Sequence, residues 1–162
     1  MTPAVKALDK SGIDYRIHRY ESVSESESES ERGWGKEAAA ALGIDPRQVF
    51  KTLIIEATGG SGSHAVAVLP VDRMLDLRAA AHALRAKRVK LADPADAERV
   101  TGYVTGGISP FGQRKRLPML LDDSALNFPA VHVSGGRRGL EIEIVPADFT
   151  AVTGAMLAAI TR

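Results

Sequence analysis

Two apolar segments separated by a glycine–serine turn constrain this chain more than any other feature. "QVFKTLIIEA" (Gln48–Ala57) and "HAVAVLP" (His64–Pro70) flank "GGSGS". β-Branched and aromatic residues suit a pleated, half-buried surface, and a Gly-rich turn between such runs predicts an antiparallel pair. In a strand, Val49, Lys51, Leu53 and Ile55 share one face, while Phe50, Thr52 and Ile54 share the other. Lys51 interrupts an apolar row. A buried lysine tends to lose its proton or find an anion. At a sheet's rim the ammonium can instead snorkel to solvent, and the pattern alone favours that.

The rest of the chain reads as helices and strands around this pair. Thr2-Pro3 opens a helix that Gly12 ends. "YRIHRYE" is a short strand. "SVSESESESER", a low-complexity tract at about residues 22–32, cannot bury apolar area and predicts a mobile loop. "GKEAAAALGID" is a helix stopped at Gly43. Asp76 caps the helix "LRAAAHALRA", whose Leu77, Ala80, Ala81 and Leu84 share a face. "KRVKLAD" is a strand, and Asp93-Pro94 starts a helix through about Val100. "MLLD", "AVHVSGG" and "LEIEIVP" are strands, and a last helix runs from Pro146 to the C-terminus. The order predicts an α/β fold with a mixed sheet, and 162 residues suggest a single domain, 1–162.

Composition narrows the chemistry. The chain has no cysteine, which excludes disulfides, thiolate nucleophiles and Cys-ligated zinc and fits a cytoplasmic location. No apolar run reaches membrane-spanning length, so no membrane partner is expected. The N-terminal segment lacks the apolar run of a signal peptide. Net charge is only +1, so any basic surface is local. One such cluster lies in "GGISPFGQRKRLP" (Gly106–Pro118), where Arg114, Lys115 and Arg116 follow Gly106, Gly107 and Gly112. On motif alone this is equally an anion-binding nest or a tight loop with a solvated basic tail. Arg137-Arg138 form another cluster. Glu141 and Glu143 share a strand face that the pattern reads as solvent-facing. His132 either binds substrate or packs. His18, His64 and His82 have no metal-site spacing, so neither metal nor cofactor is expected. A triad of Ser134, His132 and Asp122 exists only on paper, without a nucleophile elbow. Trp34, between two glycines, is a pocket wall or a plug for the core.

"MTPAVKAL", "QVFKTLII", "TGYVTGGISPFGQRKRLP" and "VSGGRRGLEIE" together resemble the YbaK/EbsC family. These proteins are similar to the editing domain inserted in bacterial prolyl-tRNA synthetase. The resemblance runs from Thr2 to the last helix, with the Ser-Glu tract as its main departure. It implies a mixed, largely antiparallel, barrel-like sheet flanked by helices. It also implies a trans-editing deacylase acting on mischarged tRNA, typically removing cysteine from proline tRNA, while related branches clear alanine. Prolyl-tRNA synthetase is an expected partner in a ternary complex. The resemblance makes Lys51 the essential lysine, binding near the terminal adenosine, and gives Gly106 the backbone N–H that holds the ester carbonyl. It puts Tyr20, Trp34, Gly107, Ser134, Gly135 and Glu141 in the substrate pocket, with glutamate where the family carries aspartate. Arg114, Lys115 and Arg116 would meet tRNA phosphates. A non-catalytic tRNA or synthetase adaptor would need the basic loop but neither Lys51 nor the pocket.

Overall fold

The structure, a computed structural model, describes residues 1–21, 30–60 and 63–162, with side chains described from residue 35 onward in the second segment. Of the loop expected at about 22–32, residues 22–29 lie outside the described residues, as does the side chain of Trp34, while residues 30–32 belong instead to a helix that begins at Ser30, ahead of the Gly35 start expected for it. The helices are α1 (Pro3–Ser11), α2 (Ser30–Leu42), α3 (Leu77–Leu84), α4 (Pro94–Thr101) and α5 (Pro146–Thr153). The strands are β1 (Arg16–Arg19), β2 (Phe50–Thr58), β3 (His64–Pro70), β4 (Arg88–Leu91), β5 (Met119–Asp122), β6 (Val131–Ser134), β7 (Leu140–Ile144) and β8 (Met156–Ala158).

The hairpin forms as expected. β2 and β3 pair antiparallel from Phe50 opposite Pro70 to Glu56 opposite His64. They stand at the middle of a five-stranded sheet of order β4-β2-β3-β5-β8. β3–β5 and β5–β8 are parallel, so the sheet is mixed. A second, antiparallel sheet has the order β1-β7-β6. The barrel-like closure is not found among the described residues. Both sheets are open, and only an isolated parallel bridge, Val49 to His132, links them.

Alternation along the hairpin divides the interior. Phe50, Ile54, Val66 and Val68 face a core shared with the second sheet, with Leu8 of α1 and Phe149 of α5. Ile55, Ala65, Ala67 and Leu69 face the other way, onto Ala80 and Ala81 of α3. Leu77, expected on that same helix face, is instead exposed. Local capping fixes the helix starts. The Thr2 hydroxyl accepts from the Val5 N–H, and the Asp76 carboxylate accepts from the Arg78 and Ala79 N–H groups.

The C-terminal segment departs from expectation. α5 does not run to the end. It stops at Thr153, and Gly154 takes the left-handed cap conformation at φ 71°. The chain then adds β8 to the free edge of β5. A helix-forming composition loses here to edge pairing and to burial of Ile160, which is fully enclosed. Asp122 secures the arrangement. Its buried carboxylate accepts from the Ile160 N–H at 3.0 Å and from the Ser124 hydroxyl. Asp122 is thereby committed to structure and completes no triad.

Asp122→Ala strands the buried Ile160 N–H. It is expected to lower the unfolding free energy by about 1–3 kcal/mol, the usual cost of an unsatisfied buried donor. Urea unfolding checks this; an unchanged midpoint would show that the tail is held by packing alone.

Candidate active site

The pairing of β2 is unequal on its two edges. β3 covers it from Phe50, but β4 joins the other edge only from Ile55 onward. The Ala92 N–H donates to the Ile54 carbonyl, so the backbone groups of even-numbered residues point to that open edge. A cavity of about 140 Å³ sits there. It gathers Lys51 and Thr52 of β2, Thr105 and Gly106 of the glycine-rich loop, Ser134 of β6 and Glu141 of β7. Tyr20, just past β1, and Arg137 also line it.

Burial drives Lys51 and Glu141, on the cavity wall, toward neutrality. The Lys51 ammonium is held below its ordinary range, first by desolvation and then by the nearby Lys36; Asp72 opposes the shift. Lys51 is half-buried, between the two placements its pattern allowed. Glu141 is 6% exposed, which overturns the solvent-facing reading. Desolvation pushes its carboxyl up to about 8, so it is largely protonated at neutral pH. Burial likewise raises the Tyr20 phenol. Two cavity-lining side chains hold buried oxygens without hydrogen-bond partners: Thr52 Oγ1 and Glu141 Oε2. Such atoms are costly to bury alone and are what a polar ligand would satisfy.

Two loops bring their residues to the cavity. Thr105 is pinned by its N–H, which donates to Glu98 Oε2 at 2.7 Å. That bond also holds the Glu98 carboxyl below its usual range. Gly107 spends its N–H on the Val104 carbonyl. A side chain at Gly107 would meet the Arg137 backbone at 2.8 Å, so the two loops touch only because this residue is glycine. The second loop turns at Gly135, whose N–H donates to the Leu140 carbonyl and whose carbonyl accepts from the Thr2 hydroxyl. Gly107 and Gly135, both expected in the pocket, hold the two loops in place but do not line the cavity.

The structure separates the other expected residues. Arg114, Lys115 and Arg116 are exposed and do not line this cavity. Lys115 and Arg116 border a second hollow, between α1 and α5. The Arg114 and Lys115 N–H groups bond back to the Thr101 and Val100 carbonyls of α4. The loop is thus a folded-back anchor around buried Phe111, which packs edge-on against Phe149 at 5.3 Å. Thr52, Thr105 and Arg137 line the site but were not among the site residues expected from the sequence, and of these Arg137 alone had a sequence signal. That signal was the pair of arginines beside the Gly135–Gly136 turn.

Residues 30–152 match the aminoacyl-tRNA editing domain family. The chain belongs to that family. It is 33% identical over 160 residues to an Enterococcus faecalis protein provisionally named Cys-tRNA(Pro)/Cys-tRNA(Cys) deacylase EbsC, covering 99% of this chain and 93% of that one. It is 29% identical over 151 residues to the multifunctional Ser/Thr-tRNA deacylase ProXp-y of Escherichia coli, covering 91% and 84%. A crystal structure provisionally described as a trans-editing enzyme for prolyl tRNA synthetase superposes with a TM-score of 0.83 at 25% identity, over 99% of this chain and 95% of that one.

The buried carboxyl has a consequence for stability. Folded Glu141 keeps its proton up to about pH 8, whereas in the unfolded chain it ionises near its ordinary 4.5. Between these values the unfolded state binds fewer protons, so stability falls as pH rises. Glu141→Gln, which cannot ionise, is expected to flatten that fall. Urea unfolding of both proteins across this range checks it; parallel profiles would mean that the carboxyl is solvated in the fold.

Proposed function

We propose that this chain is a trans-editing aminoacyl-tRNA deacylase that removes cysteine from mischarged proline tRNA. The observation that carries the reading is the single small cavity lined by Tyr20, Lys51, Gly106, Ser134 and Glu141 in a domain of the editing family. Its volume suits a small aminoacyl group, with the terminal adenosine at the mouth. A synthetase pocket cannot strongly reject cysteine when built for proline of similar size, so a second sieve must act after charging. The name of the Enterococcus relative supports cysteine as the substrate.

In this reading Lys51 binds beside the terminal adenosine and orients the ester. The Gly106 N–H holds the ester carbonyl, where negative charge develops. Tyr20 and Ser134 wall the aminoacyl pocket, with Gly107 and Gly135 holding the loops around it. The protonated Glu141 offers a neutral hydrogen-bond donor to the aminoacyl group. Arg137 adds a second cation at the cavity, and Arg114, Lys115 and Arg116 meet phosphates further along the tRNA.

The reaction then needs no protein nucleophile. The substrate's sulfur attacks its own ester carbonyl carbon, and the carbon–oxygen bond to the ribose breaks. The thiol proton ends on the ribose oxygen, leaving uncharged tRNA and a cyclic thiolactone. Positioning by the pocket supplies the rate. An alanyl ester, which has no thiol, would instead require attack by water. The whole chain acts as one editing domain, in the cytoplasm, with prolyl-tRNA synthetase supplying tRNA selection in a ternary complex. The described trans-editing structure supports that partner. No helix among the described residues is long and apolar enough to cross a membrane.

Single-turnover deacylation of proline tRNA charged with cysteine, alanine, serine or proline tests the proposal. Cysteine is expected to leave fastest. Lys51→Ala is expected to keep the fold, by circular dichroism, and to lose on the order of a hundredfold in rate through poor positioning. A folded Lys51→Ala with the wild-type rate would remove this site. Release of none of the four by the wild type would favour an adaptor.

A further inference from the structure

A cluster outside the cavity carries a second site, independent of the editing reading. We propose that His18, His132 and Glu143 bind one borderline divalent cation of the Zn²⁺ or Co²⁺ type. The three residues come from adjacent strands, β1, β6 and β7, and one ligand atom of each lies within 4.8 Å of the others. His132 and Glu143 are direct cross-strand partners, and His18 pairs with Glu141, one step along the same face. His18 Nε2 is 2.8 Å from Glu143 Oε1, and the two imidazole centroids are 5.5 Å apart.

Tetrahedral coordination with metal–nitrogen distances near 2.0 Å places donors about 3.3 Å apart, so small side-chain rotations suffice. His132 is 6% exposed, and its Nδ1 is buried without a hydrogen-bond partner. A buried imidazole nitrogen left unpaired is a cost that a ligand would relieve. His18 and Glu143 are only partly buried, which leaves a coordination position open to water. Two imidazoles and one carboxylate suit Zn²⁺, Co²⁺ or Ni²⁺ better than the oxygen-seeking Mg²⁺ or Ca²⁺.

The contrast with Glu56, His64 and Asp96 sharpens the choice, since these also cluster. There, cations already occupy the carboxylates. Lys90 pairs with Glu56 at 3.4 Å, and Arg99 pairs with Asp96. At Glu143 the ion-pair partner is His18 itself, a prospective ligand. Spacing along the chain does not register ligands drawn from three strands, which is why His18 and His132 show no motif. A bound cation would clamp the sheet that presents Ser134 and Glu141 to the cavity.

The test is titration of the chelator-treated full chain with Zn²⁺ by calorimetry and with Co²⁺ by visible absorption. One equivalent is expected to bind, with cobalt bands of a nitrogen–oxygen site. His18→Ala and Glu143→Gln are each expected to weaken binding at least about tenfold, the loss seen even for supporting groups. His64→Ala is expected to bind as the wild type does. Should His18→Ala fail to fold, the isosteric Glu143→Gln decides. Absence of stoichiometric binding, wild-type affinity in Glu143→Gln, or loss of binding in His64→Ala would each overturn the site. None of these readouts depends on deacylation.

Discussion

The unequal pairing of β2 is the constraint on which the site depends. One edge is fully occupied by β3, which fixes the strand's register and divides its side chains between two cores. The other edge is paired only over the last residues, from Ile55 to Thr58. An unpaired edge inside a domain leaves backbone groups and side chains without strand partners. Here two loops and the second sheet close over it without filling it. The cavity is the part of the interior that strand pairing did not consume.

The same enclosure sets the electrostatics. Lys51 and Glu141 shift in opposite directions for one reason, which is loss of water around each charged form. A cavity that disfavours both of these charges, yet holds partnerless oxygens of Thr52 and Glu141, suits a polar group of low net charge. An aminoacyl ester has that character. The phosphates of a tRNA do not; of the exposed cations, Arg137 borders the cavity, while Arg114, Lys115 and Arg116 lie outside it.

Local chemistry was the legible part of the sequence. Thr2-Pro3, Asp76 and Asp93-Pro94 announce α1, α3 and α4, because caps and fixed proline dihedrals act within one turn of chain. β3 falls within the stretch that its β-branched content marks, and β5 coincides with the short apolar run "MLLD". What failed required knowledge of distant partners. Alternation placed Glu141 and Glu143 on one face, but it could not say that the far side of β7 is covered at Glu141 and open at Glu143. The alanine-rich tail reads as helix until the free edge of β5 is known. Lys51 was ambiguous for the same reason, since its burial depends on loops far away in sequence. The family resemblance singled it out where periodicity could not.

The central claim is that the aminoacyl end of a tRNA enters the cavity at the open edge of β2. Backbone amide NMR with a stable, amide-linked cysteinyl-adenosine analogue tests it most directly. The claim predicts that the largest shifts fall on Lys51, Thr52, Thr105, Gly106, Ser134 and Glu141. Shifts confined to Arg114–Arg116 and the hollow between α1 and α5, or none at saturating analogue, would contradict it.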